Sequence, residues 1–174
     1  MDGIGYERKM MKRLLPPLCI VLLALTACVP GPTATSAPEQ VTLTVYFQDM
    51  DMFAVGTEPY EVAVTRTIPV TNDLPRAVLE QLFLGPTSAE QAENLRLVSS
   101  GTTGFSDLTL QAGIARVYLT GACNSGGSTY TIGNLIIANL SQFPEITAVK
   151  IYDENGETET PDGPTSSIPF CLEP

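Results

Sequence analysis

Apolar and polar residues alternate along two adjacent stretches in the middle of the chain, residues 107–111 and 114–120. A period of two is typical of strands with one buried and one solvated face. Ala112-Gly113 lies between the stretches, and Gly113 can adopt the positive φ that a two-residue hairpin turn requires. The pattern therefore predicts a β-hairpin whose apolar positions are Leu108, Leu110, Ala115, Val117 and Leu119.

The stretches on both sides of the hairpin predict three further strands and two helices. The strands are expected at 41–48, 60–68 and 148–152, where apolar and β-branched residues alternate or cluster. Apolar residues recur at helical spacing after Asp73 and after Ser128-Thr129, which predicts helices over about 73–84 and 132–143. The expected fold is α+β, with two helices packed on one face of a small mixed β-sheet.

Several residues mark the expected ends of these elements. Asn72-Asp73 offers an N-cap with Pro75 in the first turn, and Gly85-Pro86 ends that helix. A short helical turn is expected within 87–95. Ser128 or Thr129 is expected to cap the second helix, and 49–59 is expected to be a loop.

The balance of charges argues against binding to nucleic acid. The net charge of the chain is −10, and the first 27 residues contribute four basic and two acidic side chains, so the remainder carries −12. A body this acidic repels nucleic acids and anionic lipid surfaces. The sequence contains no histidine, which removes His-dependent nucleophiles and His-ligated metal sites from consideration.

The N-terminus predicts export. Four basic residues precede the apolar run 14–25, which is too short for a membrane span of roughly 20 residues. Leu25-Thr26-Ala27-Cys28 resembles the lipobox of bacterial lipoproteins. This resemblance implies a signal peptide at 1–27 and acylation of Cys28 by fatty acids such as palmitate. The mature chain would then be anchored to the cell membrane on its extracytoplasmic side. The alternative is a secreted protein in which Cys28 has no such role.

Residues 28–40 are rich in Pro, Thr and Ser and lack periodicity, so they predict a semi-extended tether before a domain at 41–159. Beyond it, 160–174 reads as a Pro-rich tail. Outside the cytoplasm, Cys123 and Cys171 form an even pair once Cys19 is removed with the signal, so we expect a disulfide that holds this tail. The alternative for this pair is two free thiols that bind metal or act in redox chemistry.

Other candidate chemistries have weak signals. Asp49 and Asp51 could form a paired-carboxylate acid/base site, but nothing nearby supplies a proton partner. The segment 153–159 is rich in oxygen ligands, but its glycine is misplaced for a calcium loop, so a hairpin turn is the better interpretation.

Three further features are weaker still. The segment 121–127 lacks the lysine of a phosphate loop, and Lys150 lies mid-strand with no serine motif beside it. Arg66 and Arg116 are expected on outer strand faces rather than as ligands.

Four stretches together resemble the GerMN (sporulation and spore germination) domain. They are VTLTVYF (41–47), TIPVTNDLPRAVLEQLFLGPT (67–87), DLTLQAGIARVYLTG (107–121) and LIIANLSQFPEITAVKIYDENG (135–156). The resemblance implies a non-enzymatic extracytoplasmic domain, similar in fold to the ring-building domains of envelope-spanning assemblies. It carries over no catalytic residues and no cofactor.

The resulting functional hypothesis is an envelope interaction or assembly module, with a link to sporulation or germination implied by the resemblance. Its partner is expected to be an envelope protein or a second copy, bound through the edge or face of the sheet. The alternatives are a small-ligand-binding lipoprotein, which requires a cavity of roughly 300 Å³ or more, and an envelope hydrolase.

Overall fold

A computed structural model describes residues 38–174. The strands are β1 (Gln40–Asp49), β2 (Glu61–Pro69), β3 (Leu95–Arg96), β4 (Gly104–Gln111), β5 (Ile114–Thr120) and β6 (Ala148–Tyr152). The helices are α1 (Met50–Val55), α2 (Leu74–Leu84), α3 (Ser88–Ala92) and α4 (Ile132–Ser141), and a 3₁₀ turn follows at Phe170–Leu172. The α+β class is confirmed, and α1, β3 and the 3₁₀ turn are additions to the predicted elements.

The strands form two three-stranded sheets rather than the single sheet expected. The first has the order β2-β1-β3 and is antiparallel, whereas the second has the order β4-β5-β6 and pairs β5 with β6 in parallel. The two sheets are separated where α4 contacts β1. Asn139 and Gln142, at the C-terminal end of α4, hydrogen bond to the backbone of β1. The helix therefore covers the part of β1 beyond its two-residue pairing with β3, where a longer strand would otherwise pair.

The predicted hairpin is present as β4 and β5. Ala112 and Gly113 have φ values of 50° and 80°, which are the positive values that this turn requires. A side chain at Gly113 would also come within 2.8 Å of the Thr147 hydroxyl oxygen. Ala115 and Val117 on β5 are fully buried, so the predicted apolar face of this strand is the core face.

Helix α2 begins as predicted, and α4 does not. Asp73 Oδ1 accepts a hydrogen bond from the Arg76 N–H at 3.1 Å, which identifies it as the N-cap of α2. The N-cap of α4 is Thr131 rather than Ser128 or Thr129. The Ser128 hydroxyl is instead engaged with the backbone of Tyr130, which delays the start of the helix.

The segment expected to be a loop after β1 contains the helix α1. Asp49 caps it by accepting hydrogen bonds from the N–H groups of Asp51 and Met52, and Gly56 ends it with a φ of 68°. The helix is only six residues long, so its apolar residues do not complete a periodic stripe.

A single main core is formed by β1, α2, the second sheet, α4 and the C-terminal turn. Leu172 is 1% exposed, so the end of the predicted tail contributes directly to this core. Within residues 38–174, none of the helices combines the length and apolar character needed to cross a bilayer.

Candidate functional site

Several predicted features lie outside the described residues. They are the signal peptide at 1–27, the lipidation candidate Cys28 and the tether as far as residue 37.

The structure contains the expected disulfide between Cys123 and Cys171, whose Cα atoms are 5.6 Å apart. Backbone bonds support it, since the Ser125 N–H donates to the Cys171 carbonyl at 2.7 Å. The bridge links the C-terminal turn to the glycine-rich loop before α4. This loop therefore has a structural role.

Asp49 and Asp51 are engaged in local structure. Asp49 Oδ1 accepts the Asp51 N–H at 2.8 Å as the cap of α1, and both carboxylate oxygens of Asp51 lie 3.0 Å from Asn94 Nδ2. The hydrogen bonds of both carboxylates are thus made within the fold.

Asp153 organises the turn after β6. Its Oδ1 accepts the N–H groups of Asn155 and Glu157 at 2.9 and 2.8 Å. Among the described residues, no group of three or more Cys, Asp or Glu side chains is arranged to hold a metal ion.

Lys150 is fully buried in β6 and holds the following irregular segment. Its Nζ donates to the carbonyl oxygens of Thr160 and Asp162 at 2.5 and 2.9 Å. The amine is therefore committed to backbone acceptors.

The two strand arginines differ from each other. Arg116 alternates with the buried Ala115 and Val117, which puts it on the outer face as expected, and its Nη1 is buried without a hydrogen-bond partner. Arg66 is not on the outer face. It shares the core side of its sheet with its register partner Leu43, and its guanidinium lies 5.6 Å from the Phe47 ring.

The position of Arg66 is explained by an ion pair. Its two terminal nitrogens each donate to an oxygen of Glu90 at 2.6 Å, so the charge is neutralised beside the core. These hydrogen bonds outweigh the effect of burial and lower the pKa of Glu90 to about 2.

The outer edge of β2 pairs with no strand within residues 38–174, although the Thr65 carbonyl on this edge accepts a hydrogen bond from Arg66 Nη1 at 3.1 Å. Thr44 and Tyr46 on β1 direct backbone groups away from β2, towards Gln142 and Asn139. Backbone groups alternate between the two edges of an antiparallel strand, so the register partners Thr65 and Ala63 direct theirs away from β1. Within residues 38–174, no strand pairs with this edge.

The middle of the outer face beside this edge carries no charge. Three cross-strand pairs form this part: Thr42 with Thr67, Thr44 with Thr65, and Tyr46 with Ala63, and the next pair in register, Gln48 with Glu61, adds one carboxylate at its end. The three uncharged pairs contrast with the acidic composition of the body and do not repel an approaching acidic chain. Edge and face together can accept an added strand.

A separate groove of about 700 Å³ lies where β2 begins and α4 approaches. Glu58, Tyr60, Glu61 and Tyr130 are among the residues that line it. The ring centroids of Tyr60 and Tyr130 are 5.8 Å apart, and Phe53 packs against both rings. This volume is large enough for a small ligand.

Tyr130 is 4% exposed, and its hydroxyl donates to Glu61 Oε1 at 2.7 Å. Burial, together with the adjacent carboxylate, raises the pKa of Tyr130 well above its ordinary value of 10. The hydroxyl therefore stays protonated and keeps Glu61 in place.

Sequence reasoning missed this groove. Its residues come from the loop before β2, the loop before α4 and the first residues of these two elements, so no periodic pattern joins them. The sequence contained one indication of the groove. Two glutamates flank a tyrosine in Glu58-Pro59-Tyr60-Glu61, and a second tyrosine, Tyr130, lies just before α4.

Comparisons with known proteins identify one family. The model of the Germane family, described as sporulation and spore germination, matches residues 44–160. A comparison with curated proteins finds no match.

The solved structures that are similar to the chain include two from one protein. The tandem GerMN domains of the sporulation protein GerM from Bacillus subtilis are 20% identical, with 71% of this chain and 46% of that chain covered and a TM-score of 0.43. The first GerMN domain of the same protein is 24% identical, with 72% and 92% covered and a TM-score of 0.47. The chain thus spans about half the length of the tandem structure.

Proposed function

Because the chain belongs to the Germane family of sporulation and spore germination domains, we propose that it is a lipid-anchored binding module of the cell envelope. In this proposal it is exported, acylated at Cys28 and held at the extracytoplasmic side of the membrane. It binds an envelope protein and catalyses no reaction. Its biological setting is sporulation or germination.

The observation that carries the proposal is the open edge of β2. Ala63, Thr65 and Thr67 are exposed, and they alternate with residues that face the core. Unpaired backbone groups along such an edge can hydrogen bond to an extended segment of another protein, and side chains on the outer face then select the partner.

The absence of catalysis is supported by how the reactive side chains are used. In the part of the chain that the structure describes, Asp49 caps a helix, Lys150 binds backbone carbonyls, and Cys123 and Cys171 are joined. None of these groups is left free to act on a substrate.

Membrane anchoring is supported by the sequence before the domain. A basic segment, a short apolar run and Leu25-Thr26-Ala27-Cys28 together are typical of an exported lipoprotein. In this proposal residues 28–40 link the acylated Cys28 to the domain that carries the β2 edge.

The proposal is tested by a substitution that blocks only the edge. In Thr65→Pro, the lost N–H points away from β1, so the pairing of β1 with β2 survives while an added strand loses a donor. The matched control is Thr65→Val, which keeps the N–H and the β-branched shape. Both variants are expressed in the native host, crosslinked in membranes and recovered.

We expect a partner to be recovered with the parent chain and with Thr65→Val, and recovery to fall at least about tenfold with Thr65→Pro, a loss of about 1.4 kcal/mol in binding. Thermal unfolding of both variants checks that the fold is kept. Equal recovery with all three chains, or with none, would refute binding at this edge.

A further inference from the structure

The groove between the start of β2 and α4 holds negative charge that the described part of the fold does not neutralise. Glu58 is exposed and Glu61 is half-buried, and both line the groove. The ion pairs found within residues 38–174 involve Arg66 with Glu90, and Arg76 with Asp73 and Asp107. Neither glutamate of the groove has a cationic partner among these residues.

One of the two carboxylates is held in a fixed position. The Tyr130 hydroxyl donates to Glu61 Oε1 at 2.7 Å, and Tyr130 is itself almost fully buried. An ionised carboxylate accepts several hydrogen bonds, so Oε2 of Glu61 remains available to a donor in the groove. A ligand that binds there does not have to order this group first.

Aromatic rings form another part of the wall. Tyr60 and Tyr130 meet edge to face, with an interplanar angle of 81°, and Phe53 supports both from behind. The faces of such rings carry partial negative charge and attract cations. Tyr130 is 4% exposed, so the half-buried Tyr60 is the ring that a cation in the groove can reach, and it favours the same type of ligand as the carboxylates.

We propose that this groove binds an organic cation, namely the protonated amine of a free alkylamine or of a lysine side chain on another protein. The ammonium group donates to Glu61 Oε2, Glu58 adds attraction at the rim, and the alkyl chain lies against the half-buried Tyr60 ring. An anionic ligand is disfavoured by the two carboxylates. The proposal does not depend on strand addition at β2, since the amine is recognised by the groove alone.

Calorimetric titration of the purified full chain, in detergent micelles at low salt, tests this directly. The probes are cadaverine and Nα-acetyl-lysine amide, and the neutral control is the same amide acetylated at Nε. We expect cadaverine to bind and the neutral amide not to bind. Binding of Nα-acetyl-lysine amide as well would point to a protein side chain as the source, and binding of cadaverine alone to a free amine.

Charge-matched variants separate the groove from the general acidity of the protein. Glu61→Gln keeps an acceptor for the Tyr130 hydroxyl and removes the charge, and we expect about tenfold weaker binding or more. Glu58→Gln should weaken binding less. Glu154→Gln removes the same charge from the exposed turn after β6 and should leave affinity unchanged.

Three results would overturn the proposal: no binding of cadaverine, equal binding of the Nε-acetylated amide, or equal weakening by Glu61→Gln and Glu154→Gln. Thermal unfolding confirms that each variant is folded. Because the titration contains no partner protein, its failure leaves the β2 edge proposal standing, and loss of partner binding in Thr65→Pro leaves the groove proposal standing.

Discussion

The side-chain amide of Asn139 makes two hydrogen bonds with the backbone of Tyr46. Its Oδ1 accepts the Tyr46 N–H, and its Nδ2 donates to the Tyr46 carbonyl, both at 2.9 Å. The amide thus supplies the donor and the acceptor that a neighbouring strand would supply, and Asn139 is fully buried. It covers the side of β1 beyond the two-residue pairing with β3, and β2 forms the opposite edge of the sheet.

Replacing Asn139 with leucine is expected to destabilise the fold by about 3 kcal/mol. Leucine has a similar size but satisfies neither backbone group of Tyr46, and a buried group left without a partner costs about 1–3 kcal/mol. Urea denaturation measures the loss. Asn72→Leu, at an exposed position, is the control and should change stability by less than about 0.5 kcal/mol. Equal stability of both variants would show that the Asn139 bonds contribute nothing.

The ion pair between Arg66 and Glu90 should make stability depend on acid pH. The pKa of Glu90 is about 2 in the folded chain, compared with an ordinary value of 4.5. As the pH falls, the Glu90 carboxylate is therefore protonated in the unfolded chain before it is protonated in the folded chain. The stabilisation that is present above pH 4.5 is lost as the pH falls towards 2.

The change to test is Glu90→Gln, which should lower stability by ~2 kcal/mol at pH 7, because hydrogen bonds to charged groups are lost. It should also flatten the decline between pH 4.5 and 2. Glu93→Gln, an exposed neighbour, should keep the parent profile. Unfolding free energies at pH 7, 4 and 2.5 provide the measurement, and parallel profiles for the parent and Glu90→Gln would contradict the assignment.

The bridge between Cys123 and Cys171 closes a sequence separation of 48 residues. Its removal should cost up to about 4 kcal/mol on the chain-entropy model. The double variant Cys123→Ser with Cys171→Ser should therefore melt roughly 10 °C lower than the parent. A reducing agent should lower the melting temperature of the parent and leave the double variant unaffected. A parent that is insensitive to reduction would show that the bridge does not stabilise the fold.

Lys150→Met should release the irregular segment after β6. Methionine fills much of the space of the lysine stem, but it leaves the carbonyls of Thr160 and Asp162 without their donor. We expect faster cleavage within residues 157–168 under limited proteolysis, detected by mass spectrometry. Arg96→Met, at an exposed position, is the control. If cleavage is unchanged, the segment is held by contacts other than the amine.

Apart from the disulfide, which follows from the number of cysteines, the features predicted correctly depend on signals that are local in sequence. The turn at Ala112-Gly113 and the Asp73 cap of α2 each lie within four residues of the groups they organise. The helix α1 was missed because six residues cannot show a helical period, although Asp49 before it and Gly56 after it are its capping residues.

Other features that depend on distant residues could not be predicted. Asn139 lies in the apolar stripe of α4, and its partner Tyr46 is 93 positions away. The single sheet was expected because no local pattern shows that a helix closes β1. The sequence placed Lys150 in the middle of a strand but did not predict its hydrogen bonds, because the accepting carbonyls belong to a segment without periodicity.

The central claim is that a partner binds along the β2 edge, and site-specific photocrosslinking in living cells tests it most directly. A photoreactive residue is introduced at Thr65, and a second chain carries it at Glu154 in the turn beyond β6. The account predicts a discrete crosslinked species from position 65 and none from position 154. No crosslink at position 65, or the same species from both positions, would contradict it.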